Sequence, residues 1–356
     1  GYKVYWEDGA QITPPHDGGI MAEVKAISDL STCKTMNKEE AVKAGLYVTI
    51  GAEVDDVYIG ELKKLVLHQD CIDKYGKDIK IVYTPLHGTG NIPARRVLKE
   101  IGFENVYVVP EQELPDGEFP TVSYPNPEAA EAFELALKLA KEKDADLVLA
   151  TDPDADRLGV YVKDTKSGEY ITLTGNMSGC LLADYEISQM KAINGSLPED
   201  GALIKTIVTS NLADEIAKHY GIKLIEVLTG FKYIGQQILN FETTGKGTYL
   251  FGFEESYGCL IGTHARDKDA IVATMALCEA AAYYKSQGKT LWDAMVDMYD
   301  KYGYCIDAIK SVGFKGIEGL EKIQSIIATL RENTPTKIGK YDVCLLYTSP
   351  SPRDTR

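Results

Sequence analysis

The 356-residue sequence has few features that would point to a cross-linked or membrane-embedded protein. Its seven cysteines are scattered singly, without a Cys-x-x-Cys pair or a metal-like cysteine/histidine spacing. This pattern gives no support to a disulfide scaffold or a structural zinc site, and it favours a reducing, cytoplasmic location. No apolar run approaches about eighteen residues and no signal-like segment opens the chain, so no membrane association is expected.

Positive charge is also scarce. Lys and Arg together number 38 and Asp and Glu number 53, which gives a formal net charge of −15. Such a balance repels the phosphates of nucleic acid and the anionic face of a membrane, so neither is expected as a partner. If an anionic small molecule binds, its site must be a local cluster of basic residues.

The composition is that of a soluble globular protein, with 44% apolar and 26% charged residues, and the length suggests two or three domains. From Asp78 onwards, strand-like and helix-like segments alternate, which predicts mostly parallel sheets covered by helices. Two such sets are separated by the turn-rich segment 195–201. Their shared order of strand, loop and helix is compatible with an ancient duplication, although no sequence identity shows it.

The pattern predicts elements along most of the chain. Predicted strands are 79–84, 106–109, 147–150, 158–162, 203–208, 223–227 and 249–253, and predicted helices are 93–101, 128–143, 212–220, 231–240 and 269–286. Residues 1–5 also read as a strand, so we expect the chain to begin inside a domain. Residues 345–356 are rich in Ser, Pro and Arg, and we expect a disordered tail, hypothesised to be foreign sequence.

An acidic loop follows the buried strand 147–150. Asp152, Asp154 and Asp156 alternate along it, so their side chains project to one side of an extended backbone. Carboxylate oxygens suit a hard cation such as Mg²⁺, and the neighbouring Arg157 offers a fork for a phosphate. The carboxyl end of a strand is also where open α/β sheets place their ligands. The loop therefore predicts a metal site.

Three other kinds of loop also carry closely spaced carboxylates. A solvated acidic turn is disfavoured because three close carboxylates repel one another unless cations offset them. An EF-hand is excluded because Arg157 and Lys163 occupy its glycine and glutamate positions. An aspartyl-phosphate phosphatase loop also carries two carboxylates two residues apart, and it stays open as a minor alternative.

Further loops carry candidate binding groups. The segment 86–91 is glycine-rich and reads either as an anion cradle or as a structural turn with Asn91 capping a helix, while His87 reads as a hydrogen-bonded loop histidine. The segment 252–258 places two carboxylates and a hydroxyl between glycines, as a loop that binds sugar hydroxyls would. Basic side chains at Lys232, Arg266 and Lys268 could form the local cationic cluster.

These motifs, in their order and spacing, resemble the phosphohexomutase superfamily, specifically bacterial phosphoglucomutase/phosphomannomutase, over residues 1 to about 343. The resemblance rests on Thr151-Asp152-Pro153-Asp154-Ala155-Asp156-Arg157, Thr229-Gly230-Phe231-Lys232, residues 252–258 and Arg266-Asp267-Lys268-Asp269. It implies an α/β fold of consecutive mixed α/β/α-sandwich domains. The expected division is a truncated first domain at 1–76, a second with the metal loop at 77–200, a third with the sugar loop at 201–303, a linker and the start of a fourth at 304–344, and the tail.

The resemblance also implies roles for particular residues. Asp152, Asp154 and Asp156 would be Mg²⁺ ligands, and Arg157 would act near the transferring phosphate. The implied substrate-binding residues are Thr229, Gly230, Lys232, Glu254, Ser256, Arg266 and Lys268. Lys268 is also implied in proton transfer, a role that would require a lowered pKa.

The implied reaction interconverts hexose 1-phosphate and hexose 6-phosphate through a phosphoserine and a hexose 1,6-bisphosphate, with Mg²⁺ as cofactor. The Ser-His-Asn-Pro loop that carries the phosphoserine in this family is not in the sequence, and neither is the phosphate loop of the fourth domain. Residues 1–5 resemble the family segment that immediately follows that Ser-His-Asn-Pro loop. We therefore expect the chain as written to be inactive. The alternative function is a non-catalytic fragment that binds metal and sugar phosphate.

Overall fold

The computed structural model describes residues 3–308, 312–314 and 316–343. The expected tail and the first two residues of the predicted amino-terminal strand lie outside these ranges. The described part of that strand forms only a single bridge between Tyr5 and Gln11, so a sheet strand at this position is wrong. The backbone instead reverses at Gly9, whose φ of +79° closes a turn in which its N–H donates to Trp6 O at 3.0 Å.

Helices dominate the amino-terminal part of the described chain. They are α1 (His16–Ala26), α2 (Lys38–Lys43), α3 (Ala52–Lys63) and α4 (Gln69–Tyr75), with short 3₁₀ turns at Leu30–Thr32 and Gly76–Asp78. Neither α1 nor α2 buries any residue, whereas α3 buries Ile59 and Leu62. The hydrophobic core of the described chain therefore takes shape from α3 onwards.

The first sheet contains five strands in the order β2-β1-β3-β4-β5. The strands are β1 (Lys80–Thr84), β2 (Asn105–Val108), β3 (Leu147–Thr151), β4 (Leu158–Lys163) and β5 (Tyr170–Leu173). β1 runs parallel to β2 and β3, and the chain then turns back so that β4 and β5 are antiparallel. This arrangement confirms the predicted strand-helix-strand unit and the strand-to-strand position of the acidic loop.

Two helices connect the parallel strands of this sheet, α5 (Asn91–Ile101) and α6 (Glu134–Lys143). The predicted start of α6 near residue 128 is wrong, because a 3₁₀ turn occupies Ala130–Phe133 and the Asn126 side chain accepts only the Glu128 N–H. α6 packs on Val82 and Val148 from one face of the sheet, and α5 packs on the other. The sheet is thus covered on both sides.

The second sheet repeats this arrangement, with four strands in the order β7-β6-β8-β9. Its elements are α7 (Gly175–Asn194), β6 (Gly201–Thr206), α8 (Leu212–Tyr220), β7 (Lys223–Val227), α9 (Lys232–Thr244), β8 (Thr248–Phe253) and β9 (Cys259–Leu260). β6 is parallel to β7 and β8, and β9 is antiparallel to β8. The expected α/β fold of consecutive α/β/α sandwiches is confirmed.

The chain continues into three further helices and a small hairpin. These are α10 (Ala270–Ser286), α11 (Leu291–Tyr302), α12 (Gly316–Glu332), β10 (Lys337–Ile338) and β11 (Tyr341–Asp342). Asp269 caps α10 by accepting N–H groups from Ile271 and Val272. α7 was not predicted, because thirteen of its twenty residues are buried and its sequence lacks an amphipathic period.

One hydrophobic core joins the two sheets. It contains Leu149 and Val160 from the first sheet, Leu203 and Phe251 from the second, and the apolar residues of α10, which are nearly all buried. This shared core fixes the β3–β4 and β8–β9 turns relative to each other. Within the described residues no helix is long and apolar enough to span a membrane, and the described cysteines form no disulfide.

The amino-terminal helices expose an apolar surface that predicts self-association. Its exposed apolar residues are Ile20, Met21, Val24, Ile27, Leu30, Met36, Val42, Leu46, Tyr47, Val48, Ile50, Val54 and Val57. We expect the chain to bind the dye ANS and to aggregate in light scattering, and Ile20→Lys with Val24→Lys to reduce both. The isolated exposed Ile193 is the control site for a Lys substitution. Monomeric wild-type protein that binds no dye would contradict the prediction.

A buried carboxyl on α7 predicts a pH dependence of stability. Burial, together with repulsion from Glu279, raises the pKa of Glu186 well above its ordinary value of 4.5. The folded chain therefore holds a proton that the unfolded chain releases, and stability falls as pH rises from 4.5 through the folded pKa. Glu186→Gln should raise the free energy of unfolding at pH 8 by at least about 1 kcal/mol and have little effect at pH 4.5. Urea unfolding at both pH values, with exposed Glu169→Gln as control, measures this; equal effects of Glu186→Gln at the two pH values would refute it.

Candidate active site

The acidic loop forms the turn between β3 and β4. Asp152, Asp154 and Asp156 each offer an oxygen, and these atoms lie within 4.8 Å of one another. Ala155 has a left-handed φ of 56°, which tightens the turn, and Asp152 Oδ1 accepts the N–H groups of Asp156 and Arg157 at 3.0 Å each. The three carboxylates therefore converge on one side of the loop, as their spacing predicts.

The burial of this loop is incompatible with a solvated acidic turn. Asp152 and Asp156 are each only 6% exposed, whereas the Asp154 side chain is 54% exposed. Burial, with repulsion from Asp156 and Asp154, raises the pKa of Asp152 to about 8. Burial also opposes ionisation of Asp156, but the cations Lys268 and Lys3 outweigh it and lower its pKa. The aspartates thus repel one another, and the nearby lysines reduce this repulsion.

The carboxylates are chemically suited to a hard divalent cation. Asp156 Oδ1 is buried and accepts no hydrogen bond from the described residues. Asp152 uses only its Oδ1 atom for the backbone contacts described above. Oxygen atoms available on converging carboxylates are the ligands that Mg²⁺ takes in proteins. The residues present therefore fit a metal ion bound by Asp152, Asp154 and Asp156.

Three cationic side chains surround the carboxylates. Lys268 Nζ lies 3.1 Å from Asp156 Oδ2, and Lys3 Nζ lies 2.7 Å from the same oxygen. Arg157 Nε lies 3.6 Å from Asp156 Oδ1, and its Nη1 donates to Glu128 Oε1 at 3.1 Å. Of the predicted basic residues Lys232, Arg266 and Lys268, Lys268 is the one that joins this group, in which the three positive charges offset the carboxylates of the loop.

Lys268 is held in its charged form. Burial opposes its charge, but Glu254, Asp267 and Asp156 more than offset burial and raise its pKa. The neighbouring carboxylates thus shift the Lys268 pKa in the direction opposite to the one that proton transfer would require, and this predicted role stays a prediction. In this arrangement Lys268 supplies a fixed positive charge.

The glycine-rich segment 86–91 packs against the acidic loop. Thr89 donates both its N–H and its hydroxyl to Pro153 O, at 2.9 and 3.0 Å. A Cβ added to Gly88 would lie 2.3 Å from Pro153 Cα, so only glycine permits this approach. Gly90 is the N-cap of α5 and Asn91 is the first residue of that helix, so the expectation that Asn91 caps the helix is wrong.

His87 is hydrogen-bonded within the same loop. Its Nε2 lies 2.9 Å from Thr121 Oγ1 and its Nδ1 lies 3.1 Å from Leu114 O. This confirms the interpretation of His87 as a hydrogen-bonded loop histidine. The segment acts as a scaffold for the acidic loop.

The β8–β9 turn brings the candidate sugar loop beside the acidic loop. Tyr257 O accepts the Leu158 N–H at 3.0 Å, which joins the two turns directly. Glu254 is 3% exposed, and its charge contributes to the raised pKa values of Arg157 and Lys268. The predicted convergence of Glu254 with the acidic loop is thus present.

Glu255 and Ser256 form hydrogen bonds that differ from the contacts of Glu254. Glu255 Oε2 accepts hydrogen bonds from Thr206 Oγ1 at 3.1 Å and Thr209 Oγ1 at 3.3 Å, at the carboxyl end of β6. Ser256 Oγ donates to Glu255 Oε1 at 3.2 Å. Glu255 therefore anchors the loop to the second sheet, while Glu254 faces the cationic cluster.

Of the remaining predicted substrate residues, Arg266, Lys268 and Lys232 line two cavities, whereas Thr229 and Gly230 line neither. One of about 400 Å³ is bounded by Tyr5, Arg266 and Lys268, and Arg266 pairs with Glu242 at 2.5 Å. A second cavity of about 400 Å³ is bounded by Trp6, His16 and Lys232.

Lys232 begins α9, beside Thr229 and Gly230, and its Nζ pairs with Asp17 Oδ2 at 3.1 Å. Gly230 has a φ of +116°, a conformation that favours glycine. Among the described residues, no hydrogen bond or ion pair joins Thr229, Gly230 or Lys232 to the acidic loop. Their predicted roles stay predictions.

The sequence pattern did not single out Lys3, Tyr5 or Asp267 as site residues. Tyr5 donates its hydroxyl to Asp267 Oδ2 at 2.8 Å, which holds the amino-terminal segment against the cleft. The one signal in the sequence was the resemblance of residues 1–5 to the family segment that follows the phosphoserine loop. Spacing alone could not show that a segment 150 residues away reaches the aspartates.

Comparison with known families identifies the fold and the loops. The family model described as "Phosphoglucomutase/phosphomannomutase, alpha/beta/alpha domain II" matches residues 56–168, and the corresponding model of domain III matches residues 174–302. Together the two cover more than half of the chain. The chain belongs to the phosphoglucomutase/phosphomannomutase family. The second model includes α7, and the boundaries expected at residues 76 and 200 stay predictions.

Curated relatives agree with this assignment. A Haemophilus influenzae protein named "Probable phosphomannomutase" is 36% identical over 342 residues, which cover 95% of this chain and 64% of that protein. A phosphoglucomutase of Staphylococcus epidermidis is 33% identical over 343 residues, covering 95% of this chain and 59% of the relative. The chain thus spans about three fifths of the length of these relatives.

Solved structures share the fold. Parafusin, a phosphoglucomutase from Paramecium in an open form, matches with a TM-score of 0.52 and 21% identity, over 70% of this chain and 42% of that one. A phosphoglucomutase/phosphomannomutase family protein from Burkholderia thailandensis matches with a TM-score of 0.50 and 19% identity, over 76% and 51% of the two chains. At these identities the likeness concerns the fold.

The contact between Gly88 and Pro153 yields a test of the scaffold. Gly88→Ala should destabilise the chain by about 1 to 3 kcal/mol, because the new methyl group must displace the Pro153 backbone. Gly117→Ala is the control, since a Cβ at Gly117 meets no atom within 4 Å. Denaturant unfolding measures both effects, and equal stability of the two variants would contradict the scaffold role.

Proposed function

We propose that a protein containing this chain is a Mg²⁺-dependent hexose-phosphate mutase. The observation that carries this proposal is the convergence of Asp152, Asp154 and Asp156 beside Glu254 and Lys268, on turns from two joined sheets. Family membership supports phosphoryl transfer between hexose 1-phosphate and hexose 6-phosphate, with the bisphosphate as intermediate. Glucose and mannose phosphates are both candidate substrates.

In this proposal the acidic loop holds the metal. Magnesium bound by the three aspartates would stabilise negative charge on the phosphoryl group during transfer. Arg157 and Lys268 place two fixed positive charges next to those carboxylates, so an anionic group is attracted despite the acidic exterior. The shared partner Asp156 keeps both cations oriented towards the same point.

The sugar loop supplies orientation. The Glu254 carboxylate can accept hydrogen bonds from sugar hydroxyls, and Glu255 holds the loop in place through Thr206 and Thr209. Arg266 and Lys268 are the groups that would bind the non-reacting phosphate of the substrate, in a cavity that Asp8, Asp267 and Asp269 also line. Holding the sugar between these groups supports transfer mainly by positioning.

The metal site is testable on the chain itself. Replacing Asp154 and Asp156 together by Asn should weaken Mg²⁺ binding at least about tenfold, because two charged oxygen ligands are lost. Isothermal titration calorimetry measures the affinity. The control is Asp55→Asn with Asp300→Asn, which removes the same charge from two exposed positions. Equal Mg²⁺ binding by the two double variants would reject the site.

Turnover is tested in a longer protein that contains this chain together with the Ser-His-Asn-Pro loop and the fourth-domain phosphate loop of the family. With Mg²⁺ and hexose 1,6-bisphosphate it should interconvert the 1- and 6-phosphates of glucose or mannose. Glu254→Gln should lower kcat/KM by about 10²- to 10³-fold, because a charged acceptor near the transferring group is lost. Exposed Glu215→Gln is the control. Absence of turnover with either sugar would reject the proposal, and turnover by the present chain alone would contradict its expected inactivity.

A further inference from the structure

The Lys3 ammonium occupies a central position in the acidic loop. Its Nζ donates to Asp156 Oδ2 at 2.7 Å and to Asp154 Oδ2 at 3.1 Å, and it bridges two of the three carboxylates. These carboxylates are the ligands assigned above to the metal. Lys3 and a divalent cation therefore share ligands.

Hydrogen bonds hold the segment that carries Lys3 beside the cleft. Ile12 N–H donates to Val4 O at 3.1 Å, and Tyr5 donates its hydroxyl to Asp267. The Lys3 side chain is 23% exposed and Tyr5 is 44% exposed, so the segment lies over the cleft rather than in the core. The Lys3 side chain is therefore partly open to solvent at its two carboxylate contacts.

Lys268 differs from Lys3 in this respect. Its side chain is 8% exposed, lies 3.2 Å from Asp267 Oδ1 as well as 3.1 Å from Asp156, and packs against Gly258 where a Cβ would meet it at 2.1 Å. Of the two ammonium groups on Asp156 Oδ2, Lys268 is therefore the more enclosed and Lys3 the more exposed.

A divalent cation adds two positive charges to carboxylates that already contact two ammonium groups. Like charges a few ångströms apart in a partly buried site repel strongly, since solvent screens them poorly. A metal bound by Asp154 and Asp156 would lie beside the oxygen atoms that Lys3 now contacts, Asp154 Oδ2 and Asp156 Oδ2. Metal binding and the Lys3 contacts thus oppose each other.

We propose that Lys3 is an internal cation that competes with the divalent metal for Asp154 and Asp156, so that metal binding releases the Lys3 ammonium into the cleft. The proposal rests on the metal site put forward under the proposed function. It couples the metal to the charge of the cleft, because the released ammonium becomes available to an anionic ligand. The Lys3 segment is then a sensor of the metal.

Amine labelling tests the release directly. The full chain is treated briefly with acetic anhydride, with and without MgCl₂ at a concentration that calorimetry shows to be saturating, and Lys3 acetylation is measured by mass spectrometry. Lys3 labelling should rise by about threefold to tenfold with Mg²⁺, because an amine that loses its two charge-assisted carboxylate contacts becomes more accessible to the reagent. Lys232, which pairs with Asp17 away from the acidic loop, is the internal reference and should not change.

Variants separate competition from a general effect of charge. Lys3→Met should tighten Mg²⁺ binding at least about fivefold, whereas Lys232→Met, with the same change of charge, should leave it within about twofold. In Asp154→Asn/Asp156→Asn, Lys3 should label rapidly with or without Mg²⁺. Circular dichroism confirms that each variant is folded.

The outcomes distinguish the two proposals. If Mg²⁺ binds but Lys3 labelling stays constant or falls, and Lys3→Met binds no more tightly than Lys232→Met, the competition is rejected while the metal site stands. If neither the wild-type chain nor Lys3→Met binds Mg²⁺, the metal site and the competition are both rejected. A rise in labelling together with tighter binding by Lys3→Met supports both.

Discussion

Repulsion among three carboxylates in one short turn is the constraint on which the rest of this site depends. Asp152 and Asp156 are buried, so their charges are weakly screened and must be balanced by nearby groups. The chain provides that balance from distant parts of the sequence, with Arg157 on the loop itself, Lys268 before α10 and Lys3 near the amino terminus. A divalent cation bound there would be one more participant in this balance.

The second requirement is close backbone approach, which lets charged loops meet. Gly88 permits the loop after β1 to lie against Pro153 of the acidic turn, and Gly175 permits α7 to begin against the Glu255 carbonyl, where a Cβ would be 2.2 Å away. Both glycines lie where a parallel strand ends or a helix begins. The precision of the site therefore depends on main-chain packing as much as on the charged side chains that it displays.

The two sheets place their functional turns by the same topology. In each sheet a central strand is parallel to two neighbours, and the third strand leads through a turn into an antiparallel strand. The acidic turn and the sugar loop occupy equivalent places in this order. Alternating apolar and helical segments predicted this architecture, because parallel strands joined by covering helices have a strong periodic signal. The buried helix α7 escaped prediction because burial on nearly all sides removes that signal.

By itself the sequence determined the fold class, the family and the convergence of the three aspartates, because these depend on local periodicity and on spacing within one loop. Tertiary structure decided which distant groups balance them. Lys3 and Tyr5 reach the cleft across more than 150 residues, and Glu255 turns into the second sheet while the adjacent Glu254 faces the cations. Local sequence patterns cannot predict these contacts, because the direction of each side chain depends on partners that tertiary packing brings close. The direction of the Lys268 pKa shift also depends on tertiary structure, because the three acidic residues that raise this pKa are brought close to Lys268 by the fold.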